Sequence, residues 1–245
     1  YVDTQRIASE LERRFPAPTL FPAGDAGIAL MLVKWSEAFF RAGLALSVNL
    51  LAKDWPEPFT ADRRALFPDF DFDAALRDAT HARSQLRVHA GWLNAQLADG
   101  RAFLTGAQPG LADVQAHVFV WMARAYYPDV AAALFAPFPH LARWESAVSA
   151  LGEGSRSPMS YADAHAIARA AMPQAAGLAV DASDPLALAA GARVEVAPDD
   201  TMRGGTQGEL VALSWEGVTV RRVDPRCGEV HVHFPRIGYR ITRLD

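Results

Sequence analysis

The feature that most constrains the fold is a helix start at residues 103–113, followed by an apolar run. The stretch reads Phe-Leu-Thr-Gly-Ala-Gln-Pro-Gly-Leu-Ala-Asp. Pro109 and Gly110 interrupt any preceding helix, and Asp113 lies three residues after Gly110, the residue that we predict to be the N-cap. A carboxylate at that position accepts the N–H of the N-cap residue and meets the positive end of the helix dipole.

The residues after Asp113 are apolar almost all round this helix: Val114, Ala116, Val118, Phe119, Val120, Trp121, Met122 and Ala123. A helix with this pattern is buried, which predicts a helical bundle with this helix at its centre. Asp113 and His117 lie one turn apart, but the sequence spaces no Ser or Cys to complete a catalytic triad with them. We therefore assign Asp113 a capping role.

Composition narrows the class of protein. A formal net charge of −4 argues against nucleic acid or an anionic membrane as the main partner. The single cysteine, Cys227, rules out an internal disulfide framework and suits a reducing compartment. The most apolar segment, residues 28–52, is too polar for a membrane span because it contains Lys34, Glu37, Arg41 and Asn49.

Residues 4–16 predict an amphipathic helix close to Tyr1. Asp3 or Thr4 is placed to cap it, and Pro16 ends it. Its apolar stripe consists of residues spaced by four: Ile7, Leu11 and Phe15. A lone amphipathic helix cannot bury its apolar face, so we expect its packing partner upstream of Tyr1.

Further helical patterns cover residues 25–53, 73–97, 139–151 and 161–171, with a loop predicted over residues 60–72. Ser160 is predicted to cap the last of these helices, with Asp163 completing a capping box. In the pattern over 73–97, we expect Trp92 to be buried and His89 to lie on a charged, solvated face with arginines.

Beyond a small-residue linker at 174–190, the apolar period changes from 3.6 to 2. Five short alternating segments separated by turns predict a small antiparallel SH3-like β-barrel over residues 191–245. His231 and His233 share one face of a strand, but they lack an evident third ligand, so we expect solvated histidines and no metal site.

Two motifs carry a resemblance to a known family. The sequence at residues 103–113 resembles the capped start of the central helix in cytosolic glutathione transferases, where Ser or Thr is usual in place of Gly110. The pair Asp3-Thr4 resembles the acidic and hydroxyl residues that open the last helix of that family's thioredoxin-like domain. Pro139 and Trp144 add a third, weaker point of agreement.

The resemblance implies a multidomain α and β architecture. Residues 1–16 would be the last helix of a thioredoxin-like domain, and residues 17–173 would be an all-α glutathione-transferase C-terminal-like bundle. The linker 174–190 and the β-barrel 191–245 lie outside the resemblance. In the extended segment 16–22, Leu20 or Phe21 is expected to tuck against the bundle.

The resemblance also implies site residues. Asp3 and Thr4 would hold the γ-glutamyl end of glutathione, since a carboxylate binds its ammonium and a hydroxyl with helix N–H groups binds its carboxylate. Met31, Trp35 and Phe39 would line one wall of the acceptor-substrate pocket. An aromatic stripe at helical spacing is also what a simple core requires, and both interpretations stay open.

The implied reaction is attack of the glutathione thiolate on a small electrophile, with glutathione as co-substrate. The thiol-activating residue would belong to a part of the thioredoxin-like domain before Tyr1, so no catalytic residue is assigned. A cytoplasmic homodimer is expected. The alternative is a non-catalytic glutathione-transferase-like scaffold that dimerises and recruits a partner, because a fold alone does not carry a function.

Overall fold

The computed structural model describes residues 1–24, 26–173, 178–199 and 204–244. Contacts within the chain divide it into two units. The first unit comprises Tyr1–Glu10, Leu66–Asp69 and Ser155–Asp245. The second unit comprises Leu11–Ala65 and Phe70–Gly154.

The helices in chain order are α1 (Thr4–Arg14), α2 (Ala26–Leu51), α3 (Glu57–Leu66), α4 (Phe72–Arg77), α5 (Ala79–Gln96), α6 (Leu111–Tyr126), α7 (Pro128–Phe135), α8 (Pro139–Ser149) and α9 (Tyr161–Ala170). A short 3-10 turn, Ala52–Asp54, follows α2. None of the described helices combines the length and the hydropathy that a membrane span requires.

The second unit is a helical bundle. Helix α2 packs against α5 and α6, and α8 packs against both α5 and α6. The core between them includes Phe39, Leu46, Leu86, Val120, Leu141 and Trp144. Helix α6 is buried on one face only, since Val118 is 40% and Trp121 is 53% exposed. The expectation of burial all round this helix is therefore wrong: its packed face is built largely from alanines, which let α2 approach closely.

Two local expectations in the bundle are also wrong. The predicted loop 60–72 contains most of α3. The single helix expected over 73–97 is two helices, because Asp78 leaves helical geometry at φ −124° and ψ 65°. The Asp78 carboxyl group then accepts the backbone N–H of His81 at 2.9 Å and caps α5.

The segment before α2 uses Phe21 to contact the bundle. Phe21 packs against the helical core, whereas Leu20 makes hydrogen bonds through its backbone. The Leu20 N–H donates to Glu12 Oε2 at 2.7 Å, and the Leu20 carbonyl accepts the N–H of Leu111 at 2.9 Å.

The first unit holds helix α9 and a β-sheet. Ser160 caps α9 as predicted, because its Oγ accepts the N–H of Asp163 at 3.1 Å. The strands are β1 (Arg193–Pro198), β2 (Thr206–Leu213), β3 (Gly217–Asp224), β4 (Gly228–Pro235) and β5 (Tyr239–Arg243). All five lie where the alternating segments predicted them.

The sheet is antiparallel with the order β4-β3-β2-β1-β5. It is not closed, so the SH3-like barrel expected from the strand count is not confirmed. At the edge of β4, the Val2 N–H donates to the His233 carbonyl at 2.9 Å. The predicted linker 174–190 includes residues 174–177, which lie outside the described residues.

Candidate functional site

The predicted Asp3-Thr4 pair lies at the start of α1 in the first unit, and both residues are exposed. Asp3 adopts φ +70°, a left-handed conformation that side chains other than those of Asn and Asp rarely tolerate. Its Oδ1 accepts the N–H of Gln5 at 3.1 Å, and its carbonyl accepts the N–H of Ile7 at 3.0 Å. Strained backbone of this kind is concentrated at binding and catalytic sites.

Residues of the C-terminal sheet contact Asp3 and the residues before it; we call Tyr1–Thr4 the corner. The Tyr239 hydroxyl, at the start of β5, donates to Asp3 Oδ2 at 3.4 Å. The Tyr1 ring stacks on the His233 ring with centroids 4.5 Å apart. The Thr219 hydroxyl and His233 Nδ1 are hydrogen-bonded at 2.9 Å, which fixes the ring that Tyr1 contacts.

The histidines of β4 are half-buried, which corrects the expectation that they are solvated. Burial lowers the pKa of His233 to about 4, and the positive charge of Arg6 adds to this effect. Among the described residues, Arg6 Nε and His231 Nδ1 are buried without a hydrogen-bond partner. Within these ranges, no three His, Cys, Asp or Glu side chains converge to hold a metal ion.

The three predicted pocket residues of α2 have different surroundings in the second unit. Phe39 is fully buried in the core, whereas Met31 is 65% exposed. Trp35 is half-buried, and its ring lies 5.9 Å from that of Phe39. The structure therefore brings Trp35 and Phe39 together and leaves Met31 on the surface.

Sequence reasoning missed His89 as part of this aromatic cluster. His89 stacks on Phe39 at 5.3 Å, lies 5.5 Å from Trp35 and contacts Trp92 edge-on at 5.3 Å. Burial lowers the pKa of His89. In the part of the chain that is described, its Nδ1 and the Trp35 Nε1 are buried without hydrogen-bond partners.

The burial of His89 had a signal in the sequence. It lies three residues after Leu86 and four before Leu93, on the same stripe of α5, and all three are buried. The expectation that His89 lies on the charged, solvated face of this helix was therefore wrong. Trp92, expected to be buried, is 57% exposed because it falls at the edge of this stripe.

Asp113 is a structural hub and not a catalytic group. Its side chain is fully buried, and Oδ2 accepts the N–H of Gly110 at 3.0 Å, as predicted. Oδ1 accepts the N–H of Leu104 at 2.7 Å and the indole N–H of Trp144 at 2.7 Å. The carboxyl group thus joins the loop before α6 to the start of α6 and to α8.

His117 has a partner that the spacing did not predict. Its Nε2 lies 3.1 Å from the Ser149 hydroxyl at the end of α8. Asp113 does not complete a triad with this pair, because its oxygens accept the three N–H groups of Leu104, Gly110 and Trp144.

A side chain at Gly110 would be in tight contact with the segment before α2. A Cβ at this position would lie 3.0 Å from the Leu20 carbonyl oxygen and 3.0 Å from Pro22 Cδ. That carbonyl instead accepts the N–H of Leu111. A backbone acceptor from the preceding segment thus satisfies a donor of the first turn of α6.

Comparisons with known proteins agree with the helical unit. Residues 74–145 match the family "Glutathione S-transferase, C-terminal domain". A crystal structure of a GST-like protein from Pseudomonas syringae is 28% identical and covers 99% of this chain and 78% of its own, with a TM-score of 0.75. A glutathione S-transferase from Actinobacillus pleuropneumoniae is 17% identical and covers 61% of this chain and 58% of its own, with a TM-score of 0.40.

No curated protein matches the chain. The family match falls on helices α4, α5, α6, α7 and most of α8, which include the Asp113 hub. The structural match to the GST-like protein extends over almost the whole chain, including the C-terminal sheet. On these findings residues 74–145 resemble the C-terminal domain of glutathione S-transferases, and the chain as a whole is similar in fold to a GST-like protein.

Proposed function

We propose that this protein binds glutathione at Asp3 and Thr4 and uses it on a small electrophilic substrate. The observation that carries the proposal is the exposed, left-handed Asp3 at the start of α1, followed directly by a hydroxyl residue. Residues other than glycine are uncommon in this conformation, and those that adopt it are concentrated at binding and catalytic sites.

The chemistry of the corner fits the γ-glutamyl end of glutathione. That end carries an ammonium and a carboxylate on the same carbon. The Asp3 carboxylate would bind the ammonium as a charge-assisted pair. The Thr4 hydroxyl and the positive end of α1 would bind the carboxylate.

The acceptor substrate is proposed to contact α2. Met31 is exposed and Trp35 is half-buried, so both offer apolar surface. Phe39 is buried in the core, and its ring would hold the ring of Trp35 in position. These side chains favour an apolar or aromatic electrophile, which would be attacked by the glutathione thiolate. The group that lowers the thiol pKa is not assigned.

Glutathione binding is tested by titration calorimetry on the wild type and on Asp3→Asn. We expect the wild type to bind, and we expect Asp3→Asn to weaken binding at least tenfold because the ammonium loses its counter-charge. Asp129→Asn is the matched control, since Asp129 is likewise an exposed aspartate near the start of a helix. A wild type without affinity for glutathione, or an Asp3→Asn variant with unchanged affinity, would refute the proposal.

The second candidate is a non-catalytic scaffold, and the exposed apolar residues of the bundle favour it. Val88 and Trp92 of α5 are 43% and 57% exposed, and Met31 of α2 is 65% exposed. We propose that these residues contribute to a homodimer. Sedimentation velocity on the wild type and on Trp92→Glu tests this: the variant should dissociate at a concentration at which the wild type is dimeric.

A cytoplasmic location is part of the same proposal. Glutathione is abundant in reducing compartments, and the single cysteine, Cys227, suits such a compartment.

A further inference from the structure

We propose that the C-terminal sheet contributes to glutathione binding by orienting the Asp3 carboxylate, and that Tyr239 is the residue that positions it. The inference rests on the proposed function and deepens it. It gives the sheet a role in ligand recognition.

The first step concerns the backbone of the corner. Val2 donates its N–H to the His233 carbonyl of the edge strand β4 at 2.9 Å. The Val2 side chain packs against the core of the sheet. Val2 directly precedes Asp3, so both contacts fix the direction in which the chain enters the left-handed residue.

The second step concerns the carboxyl group of Asp3. Its Oδ1 accepts the N–H of Gln5 at 3.1 Å, and its Oδ2 accepts the Tyr239 hydroxyl at 3.4 Å. Both contacts favour one orientation of the carboxyl group before any ligand arrives, and the contact with Tyr239 is at the long end of the hydrogen-bond range. Each carboxylate oxygen has further acceptor capacity, so the group can still accept N–H donors from a ligand ammonium.

The third step is that Tyr239 and His233 are themselves held in place. The Tyr239 ring lies 5.4 Å from that of Phe234, which is buried in the sheet core. His233 is fixed by the buried Thr219 hydroxyl at 2.9 Å and stacks on the ring of Tyr1 at 4.5 Å. The corner is therefore attached to side chains on three strands, β3, β4 and β5.

The consequence is a form of preorganisation. A carboxylate already oriented by a rigid sheet loses little conformational freedom on binding, which raises affinity for the group that it contacts. That group is the α-ammonium of a γ-glutamyl compound. Tyr239 should therefore affect affinity for ligands that carry this ammonium and have little effect on ligands without it.

The experiment compares two ligands on three proteins in the full chain. The ligands are glutathione and its des-amino analogue, in which a glutaryl group replaces the γ-glutamyl group. The proteins are the wild type, Tyr239→Phe and the control Tyr161→Phe, whose tyrosine is 90% exposed on α9 in the same unit. Dissociation constants are measured by titration calorimetry.

We expect the wild type to prefer glutathione, and we expect Tyr239→Phe to reduce this preference three- to tenfold by weakening glutathione alone. Tyr161→Phe should behave as the wild type. A merely structural role of Tyr239 would weaken both ligands equally and leave the ratio unchanged, which would overturn the inference.

Hydrogen exchange gives a readout without ligand. In His233→Ala, which removes the ring under Tyr1, the amides of residues 2–7 should exchange at least tenfold faster, while those of α6 are unchanged. Unchanged protection of residues 2–7 would also overturn the inference.

The outcomes separate the two proposals. If the wild type does not bind glutathione, the proposed function fails and takes this inference with it. If the wild type binds and Asp3→Asn does not, but Tyr239→Phe keeps the full preference for glutathione, only the role of the sheet is refuted.

Discussion

Replacement of Asp113 with alanine should destabilise the helical unit by about 3–5 kcal/mol. The carboxyl group is fully buried and accepts N–H groups from Leu104, Gly110 and Trp144. Alanine accepts none of them. Each buried donor left without a partner costs about 1–3 kcal/mol. The three costs overlap because the donors share one site, so the expected total lies below their simple sum.

The assay is urea denaturation followed by far-UV circular dichroism, with the free energy of unfolding extrapolated to water. Asp54→Ala is the control, because Asp54 is an exposed aspartate of the same unit. Its effect should stay within about 0.5 kcal/mol. A loss below about 1 kcal/mol in Asp113→Ala would refute the assignment of Asp113 as the hub.

The double variant sharpens this test. Trp144→Phe removes one of the three donors and keeps most of the ring volume. In the Asp113→Ala background, the cost of Trp144→Phe should therefore be smaller than in the wild type, because its indole N–H is already without a partner. Equal costs in the two backgrounds would contradict the 2.7 Å hydrogen bond as an energetic contact.

Three further predictions follow from buried polar groups and close contacts. Burial, with Arg6 nearby, holds the pKa of His233 at about 4, below the ordinary 6.5, so the unfolded chain binds a proton at higher pH than the native chain does. The contribution of neutral His233 to the free energy of unfolding should be fully present above about pH 6.5 and be lost as the pH falls toward 4. In urea denaturation at each pH, His233→Gln should reduce this decline in the free energy of unfolding by on the order of 1 kcal/mol, a value reduced for solvent screening. Gly110→Ser should lower the free energy of unfolding by on the order of 1 kcal/mol, since its Cβ would meet the Leu20 carbonyl at 3.0 Å; a more stable variant would contradict this. His89→Phe removes a buried nitrogen without a partner among the described residues, so thermal unfolding should show an unchanged or higher Tm, and a large decrease would mean that His89 makes a contact that phenylalanine cannot replace.

Features set by local sequence were predicted well. The Gly110–Asp113 cap, the Ser160 cap of α9 and the five strands all depend on residues a few positions apart. The break at Asp78 is also local, but a periodic pattern runs through it, and the side chain of Asp78 caps the helix that follows. The extra helix α3 was missed because its sequence lacks a clear apolar stripe, and none of its residues is buried.

Features set by distant contacts were not predictable in this way. The residue pair Asp3-Thr4 was predicted from its type and position, but the partner Tyr239 lies 236 residues further along the chain. The hydrogen bond between the Val2 N–H and the His233 carbonyl of β4 also joins residues far apart in the sequence. The two residues of each contact are too far apart in the sequence for a local pattern to include both.

The hydrogen bond between Asp3 and Tyr239 also bears on synthesis and quality control in the cell. Translation makes Asp3 among the first and Tyr239 among the last of these residues, so the corner cannot close on the ribosome until β5 has left the exit tunnel. Contacts of such large sequence separation form slowly. Premature termination before β5 would therefore yield a chain in which the contact between Asp3 and Tyr239, and with it the proposed glutathione-binding corner, cannot form.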